Sequence, residues 1–403
     1  MPVETIVVGA GVTGLSTALH LAERGVRVAV LERDAPGSGT SGRADGQIIA
    51  GFQVVPDALL AAYGSEQAEH MLEFAGTAPE LLFELIARHG IDCDAERTGW
   101  VQATRSTHHL KALEKVVAAW SKRGAPVRML DKAQTAQLLG TSVYAGGWED
   151  RRNGTIQPLA YVRGMAAAVV RAGGRIHCGV DVRELSRRGE RWHLVTSGGE
   201  LSAPSVVLAT NVYTSQLHGV AKTLFGRSYV AAHSVQLASE PLDAGQLAMT
   251  LPHRHSGSDT HHLRLRYFRL DRDNRFVIGG PGWFTPPRSA RAISFRVLEA
   301  SARRMFPQLR DIPFPLRWFA RDAVTPDLLP HLYEPCPGLF SAFGYNGRGL
   351  ALGTALGSVL ARRVSGESAA TLPYPTTPAS SLPLNFPTAA RFYVNLAFGR
   401  RHC

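Results

Sequence analysis

Gly9, Gly11 and Gly14 stand in the spacing Gly-x-Gly-x-x-Gly, and Glu32 follows eighteen residues after the last of them. That set can hold a dinucleotide. The first glycine permits a tight turn, the second lets a pyrophosphate approach the backbone, and the third allows close packing of helix on strand. The phosphates then sit on the helix N-terminus, beside Val12 and Thr13. Glu32 is placed to accept hydrogen bonds from ribose hydroxyls. The spacing alone is a weak signal, so the elements around it decide its meaning. Residues 5–8 read as a buried strand, because an apolar β-branched run ends at a turn-forming glycine. Leu15, Ala18, Leu19 and Ala22 fall on one stripe of a helix, and Val26, Val28 and Val30 open a second strand. Strand, helix, strand and acid together predict a dinucleotide-binding unit.

After Arg33 and Asp34 the chain enters a small-residue loop, Gly37-Ser38-Gly39-Thr40-Ser41-Gly42-Arg43-Ala44-Asp45-Gly46-Gln47. A nicotinamide dehydrogenase would continue into a third βα unit. A loop of small residues with one arginine suits a backbone laid along an extended cofactor. A second glycine cluster lies far downstream, where Thr325-Pro326-Asp327 precedes Gly344-Tyr345-Asn346-Gly347-Arg348-Gly349-Leu350-Ala351-Leu352-Gly353. Residues 339–343 read as a strand and 349–361 as a helix of small residues. The N-terminus of that helix offers unpaired N–H groups and a partial positive charge, to which Arg348 adds a full one. Its apolar run is well short of the ~20 residues a membrane span needs.

These segments resemble the FAD-dependent amine oxidoreductases of the D-amino-acid oxidase, sarcosine oxidase and glycine oxidase superfamily. The resemblance is closest to the γ-glutamylputrescine oxidoreductase-like branch, which carries Ser-Gly-Arg-Asn-Gly-Gly-Gln in the first loop. This chain has Ala44 and Asp45 where that pattern has Asn and Gly, so Asp45 would put a carboxylate near the flavin. The resemblance covers nearly the whole chain and implies FAD. Its binding residues would be Gly9, Gly11, Val12, Thr13, Gly14, Glu32 and Arg33, then Thr40, Ser41, Gly42, Arg43, Gly46 and Gln47 along the loop. Gly344, Asn346, Gly347, Arg348 and Gly349 would follow at the pyrimidine edge of the flavin. A third, weaker match starts a helix at Gln157-Pro158 and continues through strands at 175–178, 182–185, 192–196 and 206–211. There the resemblance places Val180 against the adenine, with Ala209 and Thr210 closing the domain. Read without the family, that segment is ordinary α/β core.

The expected fold is α/β: an FAD-binding Rossmann-like domain, with a parallel sheet and a β-meander, joined to a substrate domain of mainly antiparallel sheet and helices. The first would comprise residues 1–47, 151–221 and 321–366, and the second 48–150 and 222–320. Residues 367–403, rich in Pro and Ser, would form an extended tail. In the substrate domain, 77–89 reads as a helix with a capping box (Thr77, Glu80) and a stop at Gly90. Residues 107–123 read as another helix, and 99–104 and 234–238 as strands. Residues 263–280 read as a hairpin turning at Asp271–Asn274.

In this superfamily an amine C–H next to nitrogen gives a hydride equivalent to flavin N5. The resulting imine is hydrolysed by water, and dioxygen or another acceptor takes the electrons. The flavin carries the hard chemistry, so no acid–base dyad is required and none stands out. Candidate substrate-pocket residues are Tyr267 and Arg269 on the hairpin, Trp318, and Tyr345, and an arginine there could clamp a substrate carboxylate. Sarcosine oxidase relatives carry a lysine over the flavin on the strand matching 275–278. None occurs here, which leaves oxidase and dehydrogenase both open. Covalent relatives carry a cysteine shortly before Thr325, and 319–324 contains none, which implies noncovalent FAD. Two other readings are an RNA-modification flavoprotein of the same fold and a flavin-binding protein without catalysis.

Composition sets the outer limits. A chain of 403 residues with 45% apolar content suggests two domains. It has no ~18-residue apolar run and no basic, then apolar, leader, so a cytoplasmic location is expected. Cys93, Cys178, Cys336 and Cys403 are scattered, which argues against a metal or disulfides. The +11 net charge is almost all arginine, dispersed and without interleaved aromatics, so nucleic acid is not the expected partner. A metal site at His253, His255, His261 and His262 is not expected, since adjacent residues on a strand face opposite ways.

Overall fold

The computed structural model describes residues 2–225, 228–259, 265–282 and 288–377, with backbone only over 288–292. Its first body is a six-stranded sheet in the order His331–Cys336, Leu339–Phe343, Ser205–Leu208, Thr5–Val8, Val28–Glu32, Arg175–Cys178. All neighbours are parallel except the edge strand His331–Cys336. Successive side chains of a strand point to opposite faces, and the burial follows that rule. Val7, Val30 and Val207 pack on the helix side with Leu15 and Leu19, whereas Ile6, Val8, Leu31, Val206 and Leu208 pack on the other. There they meet Trp192 and Leu194 of the meander Val182–Arg188, Arg191–Thr196, Gly199–Ala203.

Two helices share the inner face, Val12–Glu23 and Gly349–Val364. Small residues let them touch at backbone distance. A Cβ on Gly357 would meet Ser16 Cβ at 2.5 Å and the Thr13 carbonyl at 2.8 Å. The Ser16 hydroxyl donates to the Thr354 carbonyl at 2.7 Å, and Tyr161 OH lies 3.0 Å from Thr354 Oγ1.

The second body is an eight-stranded sheet in the order Leu316–Val324, Val230–Pro241, Arg275–Pro281, Arg266–Leu270, Ser256–Asp259, Trp100–Thr104, Gly146–Asp150, Val127–Leu130. It is antiparallel apart from the pair Ser256–Asp259 and Trp100–Thr104. Val101, Val235, Leu237, Phe268 and Ile278 point to one face, under Phe295, Leu298 and Ala302 of the helix Arg288–Met305. The opposite face looks toward the first body. The strand Leu316–Val324 runs past the boundary expected at 320, so the large sheet keeps the chain until Val324.

The hairpin forms as expected, with Arg266–Leu270 paired to Arg275–Pro281. The helix expected at 77–89 is longer, Ser65–His89, because Ala68, Met71, Leu72 and Ala75 extend its buried stripe by three turns. Thr77 is therefore interior. Its hydroxyl donates to the Glu73 carbonyl at 2.9 Å instead of capping, and Glu80 pairs with Arg97 at 2.5 Å. The start of the expected tail is pinned. Tyr374 is buried between Phe52 and Phe74 and donates to the Pro330 carbonyl at 2.6 Å, and Thr377 N–H donates to the Leu332 carbonyl. The rest of the tail from 378, including Cys403, lies outside the described residues, as do His261, His262 and residues 263–264 at the start of the expected hairpin. Among the described residues no group of His, Cys, Asp and Glu could hold a metal, and no helix is long and apolar enough to cross a membrane.

The helix contact yields a test. Gly357→Val should force the two helices apart and cost about 1–3 kcal/mol or more. Thermal unfolding of the apoprotein reads this as a lowered midpoint, and an unchanged midpoint would contradict the packing.

Candidate active site and cofactor cleft

One cavity of about 890 Å³ runs between the two bodies, from Glu32 and Val180 at one end to Trp100, Gln236 and Tyr267 at the other. Its first end is built by the turn after the opening strand. Gly9 holds φ +101°, and a Cβ on Gly14 would sit 2.0 Å from the Gly9 carbonyl, so the turn closes only with glycine there. Gly11 is the N-cap of the first helix and offers no side-chain cap. Val12 N–H is met from outside, by Ser41 Oγ at 3.0 Å. Glu32 accepts from Ala10 N–H at 2.7 Å and from Asp34 N–H at 3.0 Å. Each carboxylate oxygen keeps acceptor capacity toward the cavity. This turn, a helix N-terminus whose N-cap glycine supplies no side-chain acceptor, and an acid at the end of the second strand fit the phosphates and ribose of a dinucleotide.

The middle of the cavity is bounded by the start of the helix Gly349–Val364. Asn346 sits at φ +53° and accepts from Thr325 N–H at 3.0 Å, which fixes the turn. Asp322 accepts from Gly347 N–H at 2.8 Å, Ala323 N–H at 2.9 Å and Asn211 at 3.3 Å, and burial still pushes its carboxyl above the usual range. Arg348 donates to the Ala50 carbonyl, its Nε has no partner among the described residues, and burial lowers its guanidinium to about 10. Helix N-terminus and guanidinium make this wall positive, suited to a ring that gains negative charge on reduction.

The far end is the cavity-facing side of the large sheet. Period-two alternation brings Trp100 and Gln102 from one strand, Ser234 and Gln236 from another, and Ser258 and Tyr267 from two more. Gln236 donates to Ser234 Oγ at 3.0 Å and to Tyr267 OH at 3.3 Å. Gln47 is buried and donates to the carbonyls of Gly257 and Phe268, each at 3.0 Å, which ties the first loop to the sheet.

Most of the expected cofactor residues line the cavity: Gly9, Gly11, Val12, Thr13, Glu32, Arg33, Thr40, Ser41, Gln47, Val180, Ala209, Thr210, Asn346, Gly347, Arg348 and Gly349. Gly14, Gly42, Arg43, Gly46 and Gly344 stand behind the lining, where they set the backbone. Gly46, for example, holds φ +93°, and a Cβ there would meet the Ile156 carbonyl. Of the four expected substrate residues, only Tyr267 and Tyr345 line the cavity. Tyr345 sits at its middle, 2.6 Å from Thr13 Oγ1. Trp318 points elsewhere, and its indole N–H donates to the Arg43 carbonyl at 3.0 Å. Arg269 is buried behind the loop and donates to the Asp45 and Leu270 carbonyls, so its guanidinium does not reach the cavity as a carboxylate clamp. The hydrogen-bonding demand of the Asp45–Gln47 loop outweighs the exposure expected of a strand arginine.

Asp45 does line the cavity. Burial raises its carboxyl from 3.8 to about 6, against the opposing charge of Arg269. Trp100, Gln102, Ser234, Gln236, Ser258 and Asp322 were not singled out in the sequence. Alternation with Val101, Val235 and Leu237 was the available signal, but it needs knowledge that both faces of the sheet are covered.

A nucleotide-binding parallel sheet joined to an antiparallel sheet, with one cavity running between them, is the architecture of a two-domain flavoprotein oxidoreductase. The sequence profile of the FAD dependent oxidoreductase family, DAO, matches residues 4–363, and the chain belongs to that family. It therefore depends on FAD. It is 29% identical over 371 residues to the γ-glutamylputrescine oxidoreductase of Escherichia coli, covering 91% of this chain and 84% of that one. It is 28% identical to a probable oxidoreductase, OrdL, of Haemophilus influenzae over 90% of this chain and 83% of that one. The fold matches the crystal structure of glycine oxidase from Geobacillus kaustophilus with a TM-score of 0.75 at 23% identity, over 93% of this chain and 98% of that one.

Asp45 yields a stability prediction. A carboxyl held near 6 in the fold keeps a proton that the unfolded chain has lost, so stability falls as pH rises between about 4 and 6. The full cost, present above pH 6, is about 1–3 kcal/mol once screening within the cavity is allowed for. Asp45→Asn removes it. The variant should melt a few degrees higher than the parent at pH 7.5, with the gain shrinking toward pH 4. Equal midpoints at pH 7.5 would refute the buried-charge account.

Proposed function

We propose that this protein oxidises the CH–NH group of a small amine or amino acid, using noncovalent FAD. The observation carrying this reading is that the dinucleotide cleft and the polar sheet face share one cavity. A substrate on the sheet face thus lies against whatever ring the positive wall holds. Gly9–Gly14 and Glu32 would hold the pyrophosphate and the ribose. The Arg33–Gln47 loop, Val180, Ala209 and Thr210 would enclose the rest, and Asn346–Gly349 would face the pyrimidine edge. Bound FAD supplies the two-electron acceptor for the substrate C–H. The chain's own residues then bind, orient and exclude water. Trp100 and Ile49 give an apolar wall, and Gln102, Ser234, Gln236, Ser258 and Tyr267 offer neutral hydrogen-bonding groups. Tyr267 is a poor proton carrier, since burial raises its hydroxyl well above 10. Its role is to position the substrate.

The absence of a described cysteine from the lining supports noncovalent attachment. Cys93, Cys178 and Cys336 are all absent from the cavity wall, and Cys93 is a buried core thiol that burial pushes up to about 12. The related γ-glutamylputrescine oxidoreductase and glycine oxidase act, by their names, on amines with and without a carboxylate beside the reacting carbon. Both classes belong in the assay. Dioxygen or another acceptor would return the electrons.

The purified protein should be titrated anaerobically with γ-glutamylputrescine, sarcosine, glycine and several D-amino acids while its visible spectrum is recorded. At least one amine should bleach the flavin band, and denaturation should release all the flavin. A retained flavin that no amine reduces would overturn the assigned chemistry. Loss of the ribose acceptor in Glu32→Ala should weaken FAD binding about 10- to 100-fold, from one or two charged hydrogen bonds. Unchanged affinity by flavin-fluorescence titration would remove Glu32 from the site.

A further inference from the structure

We propose that the Asp45 carboxylate receives the substrate's ammonium group, so that this enzyme takes a cationic amine with no carboxylate on its reacting carbon. The inference rests on the amine-oxidation reading and narrows it to a substrate class.

The charges along the cavity carry the argument. Among the described residues, its carboxylates are Glu32, Asp34, Asp45, Asp181 and Asp322. Glu32, Asp34 and Asp181 lie at the nucleotide end, with Arg33 and Arg183 beside them. Asp322 is occupied by two backbone N–H groups and Asn211. Asp45 differs from all of these. Its carboxylate is met only by backbone N–H groups of its own loop, that of Gln47 at 3.4 Å, and among the described residues no cation forms an ion pair with it.

Arg269 is the cation next to it, and the geometry keeps the two groups apart. The guanidinium donates to the main-chain carbonyl of Asp45 and not to its carboxylate. It is committed behind the loop, where a Cβ on Gly46 would meet its Nε at 2.7 Å. The side chain of Asp45 is left partly exposed to the cavity, on a loop whose direction is set by Gly46 at φ +93° and by Gln47 pinned to two strands. A buried carboxylate that no cation satisfies is costly unless a ligand supplies the cation.

The rest of this end repeats the preference. Its described groups are amides, hydroxyls, an indole and the imidazole of His233, with no guanidinium or ammonium among them. Arg348 belongs to the cofactor wall and is spent on the Ala50 carbonyl. An α-amino acid would bring a carboxylate into a region that already holds one negative charge and, among the described residues, offers it no fixed cation. A plain amine brings the missing positive charge.

The test uses the FAD-loaded full-length protein and two unreactive probes of similar size, n-butyltrimethylammonium and butyrate. Saturable binding is read from perturbation of the visible flavin spectrum and checked by calorimetry. The cation should bind and butyrate should not, and Asp45→Asn should weaken the cation at least tenfold while retaining FAD. Asp45→Glu, which keeps the charge, should retain part of the binding. Cation affinity unchanged in Asp45→Asn, or butyrate binding more tightly than the cation, would overturn the proposal. Reduction of the flavin by glycine or a D-amino acid in preference to every plain amine would also overturn it, while leaving the amine-oxidation reading standing. Cation binding that depends on Asp45 in a protein whose flavin no amine reduces would have the opposite meaning.

Discussion

The cleft exists because two helices approach each other at backbone distance. The helix Val12–Glu23 carries the Gly9–Gly14 turn at its N-terminus, and the helix Gly349–Val364 carries the positive wall at its own. Both N-termini open on the same cavity only because Gly353 and Gly357 leave room for Thr13 and Ser16. Thr13 and Tyr345, 332 residues apart in sequence, then sit 2.6 Å from one another and register the two ends of the chain. Larger residues at that seam would separate the dipoles that the cofactor needs together.

Much of this was legible in the sequence because it depends on local rules. Glycines with a required positive φ, a strand ending in an acid, and a stripe at helical period each announce themselves within about twenty residues. The parallel sheet and both glycine turns follow from such signals. The substrate end was harder to read. Gln236 and Ser258 look like ordinary polar positions of strands, and only the covering of both sheet faces turns them into cavity lining. Arg269 shows the same limit from the other side. Its position two residues after Tyr267 in the hairpin suggests a substrate clamp, but the loop at Asp45–Gln47 needs hydrogen-bond donors and takes the guanidinium. Trp318 is likewise spent on the Arg43 carbonyl. Helix length was misjudged at Thr77 because a capping signature inside a continuing apolar stripe carries no weight against burial.

The loop from Arg33 to Gln47 links the two bodies chemically. Ser41 reaches the first helix, Arg43 receives Trp318, Asp45 receives Arg269, and Gln47 donates to two strands of the large sheet. Each contact uses a backbone carbonyl or a polar side chain, which keeps the loop thin between the two bodies. That economy explains why small residues fill it, and why one carboxylate in it has a disproportionate effect.

Asp45 is where stability and specificity pull apart. A neutral residue at this position would relieve the cost of burying a charge beside Tyr267, whose hydroxyl that carboxylate also pushes up. The described groups around this carboxylate are otherwise amides, hydroxyls, an indole and an imidazole, and the nearby guanidinium is turned to other acceptors. A group that weakens the fold and makes no ion pair among the described residues suits a cation that arrives with the substrate. On this view the arginine behind the loop holds the loop in shape, and the free carboxylate in front of it selects what may bind.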